Sequence, residues 1–198
     1  RQVMAGIVGA RLHYVILNWA YFSVHPREAF YIWKGGLAFQ GAFVGGVLAL
    51  LAYAALNWLS FWPLADVAAL GLALGGVLGW LGCLTSGCAY GLEGKGFLTY
   101  NLPDIYGVSA PRFATQVVGS VWSLLIFVIL LLIGHKTLKP GLVFFVYVFL
   151  YFGGEFFLEF SRGNETLYIG AWRVGQVIDL IIFGFSFALF TQIEYNKN

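Results

Sequence analysis

Tyr151-Phe-Gly-Gly-Glu155-Phe-Phe-Leu-Glu159-Phe-Ser-Arg162 closes an apolar run that begins near Gly141. The run has the length of a membrane-spanning helix, and this stretch is its second half. At about 100° per residue, Tyr151, Glu155, Glu159 and Arg162 fall on one stripe of that helix. An acidic side chain at mid-membrane costs about 2.5–3.5 kcal/mol, so two on one stripe must face protein or a wet cavity. Arg162, one turn beyond Glu159, is the natural partner. The stripe reads either as a polar site inside a helix bundle or as a structural ion pair locking two helices. Both readings put the polar interior of the molecule on this helix.

The rest of the chain agrees. Of its 198 residues 60% are hydrophobic and 10% charged, with a mean hydropathy of +0.82. Soluble domains carry about 25% charged residues, so a soluble enzyme is excluded. The fold class is all-α: a polytopic transmembrane helix bundle, one transmembrane domain over residues 1–198, with room for about six spans of some 20 residues each. A formal charge of +2 gives no reason to expect nucleic acid as a partner. The start at Arg1 shows no signal-peptide pattern, and a missing N-terminal helix is expected. Cys83 and Cys88 sit in one candidate helix, where a five-residue step points them about 140° apart. No disulfide is expected between them; they read as small packed hydrophobes, silent about redox compartment.

Along the chain, Val3 to Ser23 reads as a helix with Arg11, Tyr14 and Asn18 on one face. A second helix runs from Leu37 to Trp62, with Gly41 and Gly45 on one side. Pro63 and Asp66 mark a turn, and Asp66 is the expected N-cap of a helix from Val67 to Tyr90. In that helix Gly71, Gly75 and Gly79 invite close backbone approach. Leu92 to Pro111 is the longest connection, and no strand is expected in it. Helices over Arg112–Gly134, Gly141–Arg162 and Trp172–Ile193 complete the set, the last with Arg173, Gln176 and Asp179 near its start. Arg1, Lys136, Lys139 and Lys197 fall on one membrane face, and Arg27, Lys34, Lys95, Arg112, Arg162 and Arg173 on the other. The positive-inside rule puts the second group in the cytoplasm, by a margin that a basic substrate mouth would also produce.

Chemically, the three histidines and two cysteines match no metal-ligand spacing, so neither metal nor cofactor is expected. Basic residues at one face, together with intramembrane Arg11 and two glutamates, suit an anionic lipid headgroup. The same set suits an ion or proton path. The residues alone leave both open.

Several segments resemble the prolipoprotein diacylglyceryl transferase family. Gly9-Ala-Arg11-Leu-His-Tyr14 resembles its G-[AG]-R-[IL]-x-Y stretch, and Ile32 to Gly41 its W-x-G-G-[LM]-[SA]-F-H-G. Gly71 to Gly91, through Gly82-Cys83 and Gly87-Cys88-Ala-Tyr90, resembles the long signature G-L-[AG]-x-G-R-[IL]-G-[CN]-F-x-N-G-[CE]-x-[YW]-G. Tyr151 to Arg162 resembles Y-x-x-x-R-F-x-x-E-F-x-R, and Gly175-Gln176 resembles the late M-G-Q. Order and spacing agree along nearly the whole chain.

The resemblance implies a multi-pass protein of the bacterial inner membrane with one more helix at the N-terminus. It implies transfer of diacylglyceryl from phosphatidylglycerol to the lipobox cysteine thiol of a prolipoprotein, releasing glycerol phosphate. The partners implied are a phosphatidylglycerol-like phospholipid and a prolipoprotein signal peptide, or other membrane subunits. Candidate lipid- or phosphate-binding residues are Arg11, Tyr14, Gln40, Tyr90, Arg112, Tyr151, Glu155, Glu159, Arg162, Arg173 and Gln176. The chain departs from the family where cations are expected: Trp80 and Glu155 stand in place of arginines, and Gln40 in place of a histidine. The run H-P-x-Q-L-Y-E reads Ala110-Pro-Arg112-Phe-Ala-Thr-Gln116 here. Two functions follow: a transferase whose cations are rearranged onto Arg11, Arg112 and Arg173, or a non-catalytic relative kept as a lipid-binding or complex-forming subunit. A transporter, the third reading, lacks paired broken helices and an internal repeat.

Overall fold

A computed structural model describes residues 2–135 and 139–195. Arg1, Lys136 and Lys197, counted above among the basic residues of one face, lie outside the described residues. The chain forms two compact units that meet in sequence at Ala65 and Asp66. Among the described residues five helical stretches are long and apolar enough to cross a membrane: Phe39–Leu56, Phe61–Ser86, Thr115–Gly134, Leu142–Ser161 and Val174–Ile193. A further apolar helix, Val3–Leu17, is shorter. The fold is a multi-pass helical membrane protein.

The N-terminal unit holds α1 (Gln2–Leu17), the single turn α2 (Trp19–Phe22), two 3-10 turns at Pro26–Phe30 and Ile32–Lys34, α3 (Phe39–Leu56) and the first residues of α4 (Phe61–Ser86). α1 and α3 pack backbone against backbone. A Cβ on Gly9 would strike the Gly41 carbonyl and lie 3.1 Å from Gly45 Cα; one on Gly45 would lie 2.7 Å from the Ala5 carbonyl. Only glycine permits that approach, and in a membrane such close packing replaces the missing hydrophobic drive between helices. α1 ends six residues before the expected Ser23. There Asn18 donates its side-chain amide to the Tyr14 carbonyl at 2.9 Å, an alternative to the helical ladder. Asn18 is therefore exposed at a helix end and does not continue the Arg11–Tyr14 stripe.

The C-terminal unit comprises the rest of α4, β1 (Thr99–Pro103), β2 (Ser109–Phe113), α5 (Thr115–Gly134), α6 (Leu142–Leu158) with a 3-10 turn over Glu159–Ser161, β3 (Tyr168–Ile169), β4 (Trp172–Arg173) and α7 (Val174–Tyr195). α6 is its centre, packed by α5 and α7, with Tyr147, Val148 and Phe152 fully buried. The Trp122 indole lies on Gly154, where a Cβ would overlap it, and donates its N–H to the Leu150 carbonyl at 3.0 Å. Asp66 is a cap, but not of its own helix. Pro63 lies inside the first turn of α4, where a missing N–H costs nothing. The Asp66 carboxylate instead accepts from the N–H groups of Gly141 (2.7 Å) and Phe144 (2.8 Å), capping α6. Gly71, Gly75 and Gly79 meet nothing within 4 Å among the described residues; close approach on α4 falls to Gly76, against Ser123 and Tyr151.

Contrary to expectation, the connection after α4 contains strands. β1 and β2 form an antiparallel hairpin, Thr99 opposite Phe113 and Pro103 opposite Ser109. Asp104 closes it by accepting the N–H groups of Tyr106 (2.8 Å) and Val108 (3.0 Å). The far edge of β2 takes up residues 92–94: Phe113 N–H donates to the Leu92 carbonyl at 2.9 Å and Gly94 N–H to the Pro111 carbonyl at 3.0 Å. The same segment pairs with the end of α6, through Leu92 N–H to the Ser161 carbonyl and Gly163 N–H to the Tyr90 carbonyl, both 2.8 Å. Two short runs interrupted by Pro103 and Pro111 carry too little alternation to read as strands. Cys83 and Cys88 also differ from expectation, for they form a disulfide with Cα atoms 4.6 Å apart. α4 ends at Ser86, and Gly87 (φ +71°) and Ala89 (φ +49°) reverse the chain. Cys88 has left the helix, so the 140° separation of a continuous helix no longer applies.

Candidate active site

The stripe that opened the sequence turns inward and is tied together by ion pairs. Arg162 donates through Nη1 to Glu159 and through Nη2 to Glu155 Oε2 at 2.7 Å. Glu159 Oε2 accepts from Arg173 Nε at 2.6 Å, so one carboxylate bridges two guanidiniums. Arg173 completes its fork on the carbonyls of Arg162 (3.2 Å) and Asn164 (2.8 Å). Gly175 makes room, since a Cβ there would lie 2.9 Å from Glu159 Oε1. Gln176 accepts from the Arg173 backbone N–H at 3.0 Å. The late Gly-Gln pair thus has a physical purpose: glycine admits the carboxylate, and glutamine fixes the turn that delivers the arginine.

Tyr151 lies in the same cluster, 4% exposed and stacked on Tyr147 at 5.4 Å between ring centroids. Asp179, 1% exposed on α7, is within electrostatic reach of Tyr151 and Arg162. The sequence reading left it out of the site, although an aspartate inside an apolar helix was the signal available. Trp80 is the other addition. Its ring takes the Arg162 guanidinium at 5.1 Å and lies against Gly119, where a Cβ would overlap the indole. Trp80 and Glu155 therefore both hold Arg162.

Arg112 occupies a second seat in this unit. It lies in β2 rather than at the start of a helix, 6% exposed, over the Tyr90 ring at 4.7 Å. Nη2 meets Glu93 Oε1 at 3.0 Å and Asp104 Oδ2 at 3.2 Å. Neither acid was expected to be its partner, because the hairpin that brings them together was unforeseen. The segment Tyr90–Gly94 pairs with Arg162 on one edge and Arg112 on the other, so one extended strand sets both. Among the described residues the buried Nε–H groups of Arg112 and Arg162 have no acceptor. Beside this segment lies a cavity of about 430 Å³, lined by Leu92, Lys95, Phe97, Phe113 and Ser161 among others.

In the N-terminal unit Arg11 is buried and, among the described residues, held by carbonyls rather than by an acid. It donates through Nε to the Ala29 carbonyl (2.8 Å), through Nη1 to those of Gly35 (2.7 Å) and Gly36 (3.0 Å), and through Nη2 to that of Glu28 (2.6 Å). The rings of Tyr14 and Phe22 lie 5.6 and 5.3 Å from its guanidinium carbon. Gly36, at φ +77°, is where Tyr14 and Arg11 press closest. Gln40 is the second residue of α3, half-buried. The structure thus brings together Arg11 with Tyr14, Tyr90 with Arg112, and Tyr151, Glu155, Glu159, Arg162, Arg173 and Gln176 with one another.

Residues 2–192 match the family model described as prolipoprotein diacylglyceryl transferase. Relatives that carry the name phosphatidylglycerol–prolipoprotein diacylglyceryl transferase include the following. The protein of Symbiobacterium thermophilum is 38% identical over 189 residues, 91% of this chain and 69% of the relative. That of Bacillus licheniformis is 37% identical over 183 residues, 89% and 68% respectively. That of Acaryochloris marina is 38% identical over 189 residues, 92% and 69%.

Proposed function

The chain belongs to the prolipoprotein diacylglyceryl transferase family, and from that premise we propose that it transfers diacylglyceryl from phosphatidylglycerol to a prolipoprotein cysteine in a bacterial plasma membrane. The acceptor thiolate forms a sulfur–carbon bond to the glyceryl carbon, the carbon–oxygen bond to phosphate breaks, and glycerol phosphate leaves. The chemistry needs cations where negative charge gathers on the departing phosphate. The supporting observation is the pair of buried Nε–H groups of Arg112 and Arg162, each without a protein acceptor and both set by the Tyr90–Gly94 strand. A buried guanidinium N–H is a strong, charge-assisted donor that a phosphate oxygen would satisfy. Here Arg112 and Arg162 take the role that arginines at positions 80 and 155 would otherwise fill.

A specific observation favours a second reading, a non-catalytic lipid-binding relative. Trp80 and Glu155 both spend themselves on Arg162, and around it Glu155, Glu159 and Asp179 outnumber Arg162 and Arg173. Such an interior is poorly disposed to a phosphate dianion. One experiment separates the two. Folded, purified protein is incubated with phosphatidylglycerol and a lipobox peptide, and the peptide is weighed by mass spectrometry. A diacylglyceryl mass increment with release of glycerol phosphate supports the transferase; its absence, with a relative from the family active in the same assay, removes it. Saturable lipid binding without transfer is the outcome expected of the second reading.

A further inference from the structure

The Cys83–Cys88 disulfide lies between the two aromatic plates on which the arginines rest. Trp80, under Arg162, is three residues before Cys83; Tyr90, under Arg112, is two residues after Cys88. The intervening reversal depends on Gly87 and on Ala89, a non-glycine residue at positive φ that an unconstrained chain would rarely keep. Few other bonds hold it: Gln116 Nε2 donates to the Cys88 carbonyl at 3.0 Å, and the Asp104 carbonyl packs on Gly87. Both cysteines are half-buried, at the end of the membrane-crossing stretch of α4, and their neighbours Gly82, Thr85 and Ser86 are exposed. The Ser86 hydroxyl donates to the Gly82 carbonyl at 2.9 Å and lies 3.3 Å from Cys88 Sγ, within reach of that sulfur.

We infer that Cys83–Cys88 is a thiol–disulfide exchange site that controls whether Arg112 and Arg162 keep their seats. An external small-molecule thiolate attacks Cys83 Sγ. The S–S bond breaks and Cys88 leaves as a thiolate, toward which the Ser86 hydroxyl turns from the Gly82 carbonyl, since a stabilised leaving thiolate departs faster. A second external thiolate then displaces the first as a small-molecule disulfide. The protein gains two electrons and, after proton uptake, two thiols. With the bridge open, the 87–89 reversal relaxes, Tyr90 shifts, and the strand that pairs with both arginines loosens. The lipid-binding arm of the test rests on the function proposed above; the structural arm does not.

The test compares the oxidised protein with protein reduced by a dithiol, and with a Cys83→Ser/Cys88→Ser variant that cannot form the bridge. Amide hydrogen exchange is read at residues 87–94 and 161–163. Opening should speed exchange there by about tenfold or more while the middle of α5 and α7 keeps its protection. The double variant should match the reduced protein with or without dithiol. Phosphatidylglycerol affinity should fall by about tenfold with the bridge open. Unchanged exchange on verified reduction overturns the inference, whatever the lipid does. Faster exchange with unaltered lipid affinity upholds the exchange site and counts instead against phosphate at Arg112 and Arg162.

Discussion

Two guanidiniums in this molecule are buried by opposite means. Arg11 is surrounded by carbonyl oxygens and aromatic faces, whereas Arg162 is surrounded by carboxylates. Carbonyls satisfy the N–H donors and leave the positive charge formally uncompensated; they also come from a loop, so the arginine organises that loop. Here Arg11 gathers residues 28–36 into a defined path before α3. Carboxylates cancel the charge and tie helix to helix, so Arg162 joins the end of α6 to Arg173 before α7 through Glu159. A buried arginine is thus not by itself an anion site. What surrounds it decides whether it positions backbone, neutralises acids or retains a donor for a ligand.

The comparison breaks most readily at Glu159. Glu159→Gln takes from Arg173 its carboxylate and from Arg162 one of two, and should cost about 3–5 kcal/mol, the usual penalty for removing one partner of a buried pair. Thermal melting in detergent should drop by many degrees, and the double variant Glu159→Gln/Arg173→Gln should recover part of the loss. An equal loss in single and double variants would mean the bridge is incidental. Next comes Arg11→Lys, which keeps the charge and loses the fork. With four carbonyls released, about 2–3 kcal/mol should go, with faster amide exchange confined to residues 28–36. Exchange that instead rises uniformly through α1 and α3 would show that Arg11 supports the helix pair rather than the loop. The smallest effect is expected at Asp66, an anion held by backbone N–H groups and so the mirror image of Arg11. Asp66→Ala should cost about 1 kcal/mol and fray the first turn of α6. Wild-type stability there would show that the cap is replaced by another group.

The sequence made the acidic stripe legible because charge inside an apolar run has a single physical resolution, an inward face with a partner. Arg162 as the partner of Glu159 followed from the three-residue step. The family was legible as well, and Gly175-Gln176 acquired a reason once its contacts with Glu159 and Arg173 were seen. The hairpin did not read, because two prolines broke its alternation and its partners lie on either side of a turn. The disulfide was missed for a related cause. The step from Cys83 to Cys88 was measured on a helix that stops at Ser86, and helix ends are set by caps and tertiary contacts that a periodic pattern does not contain.

Composition and periodicity determined, without any coordinates, that this chain is a membrane helix bundle with an acidic stripe of α6 turned inward. Burying uncompensated charge in lipid costs too much for any other outcome. Which acid meets which arginine was decided only in three dimensions. Glu159 had to choose between Arg162 and Arg173 and took both, and Arg112 found Asp104 and Glu93 across a hairpin. Such pairings depend on distances between segments far apart in sequence, and these are fixed by how strands and helices pack rather than by the order of residues along any one of them.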